Sequence, residues 1–141
     1  MENDVSPIFL KARPVPYAIK PKVDAELDRL EKQGILTKVD WSDWATPIVP
    51  VAKKSGSVRI CGDFKITINP VMKAEQYPLP RIEDIFANLC NGKQFTIIDL
   101  VQAYHQMAVA QEDRHYLIIN AHKVFCQYSR LVFGIKFIKT I

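Results

Sequence analysis

The stretch from Phe95 to Gln106 constrains this chain more than any other. Phe95-Thr96-Ile97-Ile98-Asp99-Leu100 is apolar and partly β-branched, the composition of a strand buried on both faces. The carboxylate of Asp99 closes the run. A charge held there needs a partner, and a divalent metal ion is a common one. An aspartate capping the next turn is the other reading, and the residues alone do not separate the two. Ala103 and Tyr104 follow, one small and one aromatic, suited to flooring a ligand pocket.

With 141 residues, 48% of them hydrophobic and 24% charged, the chain has the makings of one real core and not of a disordered tail. No apolar run approaches the roughly 20 residues of a membrane span. Met1 is followed by Glu2, Asn3 and Asp4, the opposite of a basic leader, so an intracellular site in cytoplasm or nucleus is expected. Cys61, Cys90 and Cys126 are widely spaced and odd in number, which predicts buried free thiols in a reducing compartment. His105, His115 and His122 lack ligand-like spacing, and no zinc site is expected. The net charge of +4 permits a polyanionic partner without demanding one.

Residues 1–21 carry Pro7, Pro14, Pro16 and Pro21 and should run extended. Pro21 opens a helix in which Val23, Leu27 and Leu30 share a face, and Gly34 supplies its left-handed end. Lys22 with Glu26 and Asp28 with Lys32 are spaced as ion pairs on its solvent side. Trp41 to Trp44 form a short aromatic turn. A strand from Pro47 to Ala52, placed at an edge by Pro50, leads through the Lys53–Ser57 loop to a return strand from Val58 to Phe64. Between Lys53 and Lys65 lie four basic residues and one acidic one. Such a bias is either a solvated edge that blocks aggregation or a site where Lys54 and Arg59 reach one anion. Tyr77-Pro78-Leu79-Pro80 reads as a rigid bridge, and Ile82, Ile85, Phe86 and Leu89 as a second amphipathic helix stopped by Asn91-Gly92. After the Asp99 run, Tyr116–Ile119 and Val124–Tyr128 flank a turn. The order is helix, hairpin, helix, strand, hairpin, an α+β class and not a repeating βα pattern.

These segments, in this order, resemble the N-terminal part of reverse transcriptases from gypsy-class LTR retrotransposons, from about Phe9 to Gly134. Leu10-Lys11-Ala12-Arg13-Pro14-Val15-Pro16-Tyr17 is similar to the entry segment, and Leu27 to Gly34 with Ile35-Leu36 to the first fingers helix. Trp44-Ala45-Thr46-Pro47-Ile48-Val49 precedes Val58-Arg59-Ile60-Cys61-Gly62-Asp63-Phe64-Lys65, which resembles the family's R-x-C-x-D-[YF]-[RK] element. Tyr77 to Ile82, the Phe95–Gln106 stretch, His122-Lys123, Arg130-Leu131 and Phe133-Gly134 complete the likeness.

The resemblance implies a partial right-hand polymerase fold, the fingers plus the first part of the palm. Its parts would be an extended segment 1–21, fingers 22–75, the start of the palm 76–106, a fingers hairpin 107–130 and a divergent tail 131–141. Asp99 matches the first catalytic aspartate, which binds both Mg²⁺ ions with the Leu100 carbonyl. Tyr104, beside Ala103, matches the aromatic under the incoming sugar. Lys54 and Arg59 match the pair that grips the triphosphate, and Phe133 and Gly134 lie near the incoming nucleotide and template. The implied activity is RNA-directed DNA polymerisation by two-metal nucleotidyl transfer, on an RNA or DNA template-primer and dNTP, with no membrane partner.

The departures bear on that activity. The family draws further metal carboxylates from a Y-x-D-D hairpin, and this sequence has no Asp-Asp pair. The usual L-P-F-G is Leu131-Val132-Phe133-Gly134, and the tail 135–141 replaces a helix rich in Ser, Ala and Pro. A polyprotein fragment, truncated and inactive alone unless downstream segments or a partner complete the palm, is therefore expected. The alternatives are a non-catalytic nucleic-acid or nucleotide-binding remnant and an interaction domain.

Overall fold

The computed structural model describes residues 5–72 and 80–136. The Tyr77-Pro78-Leu79 bridge and the tail from residue 137 lie outside the described residues. The amino-terminal segment does not run free, because Ala45 donates to Ile8 at 3.1 Å and Leu10 donates to Ala45 at 3.0 Å. A 3₁₀ turn at Tyr17–Ile19 then feeds α1 (Lys20–Lys32), with Pro21 in its first turn, where a missing N–H costs nothing. Val23, Leu27 and Leu30 are buried, as their spacing predicts. Gly34, at φ 67°, ends the helix. Its N–H donates to Glu31 at 2.9 Å and that of Ile35 to Leu30 at 3.0 Å, the paired bonds of a Schellman end.

The charge pairs on α1 differ from those expected. Glu26 is taken by Arg29 at 2.7 Å, and Lys38 is drawn to Asp28 at 3.7 Å and to Glu31 at 2.5 Å. Lys22 instead donates to the Gly56 carbonyl at 2.7 Å and ties the hairpin loop to the helix. A guanidinium three residues away, and a lysine folded back from the following strand, compete successfully for the same carboxylates.

Five strands form one mixed sheet: β1 (Leu36–Val39), β2 (Thr46–Ala52), β3 (Val58–Gly62), β4 (Ile118–Asn120) and β5 (Phe125–Tyr128). Their spatial order is β1-β5-β4-β2-β3. Only the β2–β4 pair is parallel, and it involves just Thr46 and Pro47. β2 is therefore an interior strand at its start and open on one side beyond Pro47, and Pro50 lies in that open part, opposite Ile60 of β3. β3 ends at Gly62 and not at Phe64, although the Phe64 ring is buried. Tyr116 belongs to a 3₁₀ segment, Gln111–Tyr116, and not to β4.

α1 touches both edge strands, β1 and β3, and its apolar stripe closes over the sheet. Inside, the hydroxyls of Thr46 and Thr67 pair at 2.7 Å, so two buried polar groups satisfy each other. Of the cysteines, Cys126 is buried, and burial pushes its thiol up to about 11, but Cys61 is half-buried and Cys90 exposed.

The second half overturns one expectation. α2 (Ile82–Leu89) forms where its periodicity places it, yet none of its residues is buried, and Phe86 is 65% exposed. Phe95 to Leu100 is irregular and solvent-facing, with Ile97 95% exposed, and is not a buried strand. The physical reason is pairing. Strand composition describes fit to a pleated, half-buried surface, and among the described residues no strand lies beside this run to take its ladder bonds.

Leu27→Ala should cost about 2–5 kcal/mol through the cavity it leaves, and Gly34→Ala about 1–2 kcal/mol through the left-handed backbone alone. Urea unfolding midpoints of the two variants check that ranking. Paired Phe86→Lys and Ile97→Lys changes should lower dye binding to exposed apolar surface and raise solubility while leaving the thermal midpoint in place. A large drop in that midpoint would show that these side chains are packed.

Candidate functional site

Alternation along β3 sets the first element of the site. Val58 and Ile60 point into the core, so Arg59 between them points out. Its guanidinium lies over the ring of Phe133, 5.9 Å from the centroid. Tyr104 meets Phe133 edge-to-face at 5.7 Å, with an interplanar angle of 64°. Three sequence-predicted residues, from β3, a 3₁₀ turn at Ala103–Gln106 and the segment after β5, thus converge. Ala103 is half-buried at the start of that turn.

Phe133 is held in place by a residue distant in the chain, one that carries no site signal of its own. The Asn69 side chain donates to the Gly134 carbonyl at 2.8 Å and accepts from the Lys136 N–H at 2.8 Å. Gly134 itself has φ 101°, a conformation open to glycine and strained for other residues. Across from it, a side chain at Gly62 would strike the Phe64 ring at 2.6 Å. An Asn-Pro dipeptide signals a turn, and its amide's reach across 65 positions leaves no trace in local sequence. Arg13 is a second such residue, bound to Asp63 at 2.7 Å just after β3.

Beside the cluster is a crevice of about 70 Å³ lined by Glu26, Leu30, Arg59, His105 and Phe133 among others. It is far below the roughly 300 Å³ at which small-molecule pockets begin, so the cluster is an open surface and not an enclosed site. Burial lowers the pKa of His105, and Arg29 pushes it the same way, so its imidazole stays neutral at neutral pH. Its Nδ1 lies 2.7 Å from the Gln102 side-chain oxygen. Gln102 has φ 48°, a left-handed kink immediately before the 3₁₀ turn that carries Tyr104.

The other predicted residues do not join the cluster. Lys54 lies in the exposed loop beyond the last paired residues of β2 and β3. Asp99 and Leu100 sit in the exposed irregular stretch, Leu100 being 60% exposed. Two divalent ions need several oxygen ligands each. Among the described residues no group of three or more His, Cys, Asp or Glu is placed to hold a metal ion. The donor set present, one carboxylate on an open segment, does not fit the two ions.

No family model matches the chain. Its sequence is 40% identical over 137 residues to an uncharacterized protein of Caenorhabditis elegans, covering 96% of this chain and 11% of that protein. It is 30% identical over 139 residues to the retrovirus-related Pol polyprotein from transposon gypsy of Drosophila melanogaster, covering 94% of this chain and 13% of the polyprotein. Its relatives include retrovirus-related Pol polyproteins of transposons and transposon polyproteins. Among solved structures, the foamy viral protease-reverse transcriptase in complex with dsDNA superposes with a TM-score of 0.76 at 20% identity, over 96% of this chain and 28% of that one. The α+β fold is therefore that of a part of the foamy viral chain. This chain spans only 11% and 13% of the length of the two relatives. Among the described residues no helix is long and apolar enough to cross a membrane.

Asn69→Ala should release the Phe133–Lys136 segment. The expected results are a stability loss of about 1–2 kcal/mol, for two hydrogen bonds near the surface, and faster hydrogen exchange at the Lys136 amide.

Proposed function

We propose that this chain is the fingers and first palm segment of a gypsy-class retrotransposon reverse transcriptase, carried within a Pol-type polyprotein. Its own contribution is a surface that binds a nucleic acid or the triphosphate of a nucleotide. The observation that carries this reading is the convergence of Arg59, Phe133 and Tyr104. A guanidinium held over an aromatic ring, with a second aromatic beside it, offers charge to a phosphate and π surface to a base or sugar. Similarity to Pol polyproteins and the dsDNA held by the foamy viral enzyme support the same partner class. The net charge of +4 favours it at long range.

In this reading Lys54 is the second phosphate contact, brought to Arg59 only when the loop closes over a ligand. The Lys22 bond to Gly56 is then the hinge-side anchor of that loop. Ala103 and Tyr104 floor the sugar site, and Gly134 leaves backbone open to the template. Asp99 and the Leu100 carbonyl become metal ligands only when further carboxylates are placed beside them, so the two Mg²⁺ ions of two-metal transfer belong to the completed palm. The exposed face of α2 and the Phe95–Val101 stretch are the surface on which that remainder packs.

Two measurements test the proposal. This polypeptide alone should bind an RNA–DNA duplex yet incorporate no dNTP in the presence of Mg²⁺, and incorporation abolished by Asp99→Asn would overturn the second half. Arg59→Ala should weaken duplex or dNTP binding by about tenfold or more, the loss of one charge-assisted contact, with a shallower salt dependence for the duplex. Lys32→Ala, which removes the same charge from an exposed position at the end of α1, should change affinity far less. Equal losses in the two variants would reduce the site to net charge.

A further inference from the structure

A second cleft lies at the β1 edge of the sheet, apart from the Arg59 cluster. It encloses about 140 Å³ between the end of β1 at Val39, the Trp41–Trp44 turn and His115. Two indoles, an imidazole and a carboxylate supply its distinctive chemistry. Trp41 is 73% exposed, an indole left in water beside the cleft, whereas Trp44 is buried. Trp44 is fixed edge-to-face on Tyr116 at 5.4 Å, and Tyr116 in turn carries the His115 ring at 3.8 Å. The turn is clamped from both sides. Ser42 Oγ accepts from the Trp44 N–H at 3.0 Å and donates to the Trp44 carbonyl at 2.6 Å. The Trp44 wall is therefore set before any ligand arrives.

The charge of the cleft has one sign. Asp43 lines it, exposed and without a cationic partner among the described residues, and neither Lys nor Arg is in its wall. Indole faces are negative at their centres and attract cations, most strongly when little hydration has to be removed. A primary ammonium carries three strongly hydrated N–H donors, and stripping that water offsets much of the attraction. A fully alkylated nitrogen has no such donors and spreads its charge over methyl groups. The volume, a few water molecules' worth, suits a trimethylammonium head and excludes a nucleotide.

We propose that this cleft binds a quaternary ammonium group, with Trp41 and Trp44 as its aromatic walls and Asp43 as the counter-charge. Free choline and the side chain of trimethylated lysine are the two sources of that chemistry. Trp41 and Trp44 are the only tryptophans of the 141 residues, so intrinsic emission reports on the cleft directly. Titrating the full chain with choline, and separately with Nε-trimethyllysine, at constant ionic strength should give a saturable change with at least one of them. The tighter ligand identifies the source. The neutral isostere 3,3-dimethylbutan-1-ol should bind about tenfold more weakly or not at all. Trp41→Ala should weaken binding about tenfold, with Trp44 still reporting, and Asp43→Asn, which keeps both indoles, should weaken it severalfold. Emission unchanged by both cations, or an equal response to the neutral alcohol, overturns the proposal.

Discussion

One apolar stripe on α1 holds together the two edges of the sheet. Val23, Leu27 and Leu30 are buried, and the helix that carries them touches β1 at one edge and β3 at the other. Three buried aliphatic side chains contribute on the order of 5–9 kcal/mol in transfer free energy, enough to outweigh most local preferences nearby. The Schellman end then turns the chain directly into β1, where Ile35 and Leu36 are buried in their turn. Ser129, just past β5, binds the same corner, donating from its backbone to the Ile35 carbonyl at 2.9 Å. Helix end, first strand and last strand thus share one junction.

The Arg59 cluster depends on that closure. β3 is held by β2 on one side and covered by α1 on the other, which fixes the direction in which Arg59 leaves the strand. Its aromatic partners arrive from residues 104 and 133, and the Asn69 amide keeps the latter from drifting. The guanidinium is exposed, so its contact with Phe133 has modest strength in water, and its importance lies in orientation. An arginine held over a ring has lost part of its rotamer freedom before it meets an anion, and less remains to be lost on binding.

The segment from α2 to Val101 shows the opposite condition. Its residues have strong intrinsic preferences, an amphipathic helix and a β-branched run, and nothing among the described residues covers them. The helix persists because its backbone bonds are internal to it. The β-branched run does not form a strand, because a strand's bonds are always made to a neighbour. The one carboxylate that marks the run, Asp99, is left in water for the same reason. In the proposed function that run and its carboxylate are completed together, by the same missing surface.

Much of this was legible in the residues themselves. The limits of α1, its buried face and its glycine end follow from spacing and from the conformations that proline and glycine allow. The outward aim of Arg59 follows from alternation between Val58 and Ile60, and the Lys53–Ser57 hairpin from its polar, glycine-bearing loop. Tertiary structure alone decided the rest. The parallel join of β2 to β4 links Thr46 to Ile119, and neither residue signals the other. Glu26 has Lys22 and Arg29 within helical reach, and only the position of the Gly56 carbonyl draws the lysine away. The Asn69 bonds to Gly134 and Lys136 span more than sixty residues. Phe95 to Leu100 carries the composition of a buried strand and lies in solvent. Composition states what a segment can bury, and burial itself requires a second surface that local sequence does not contain.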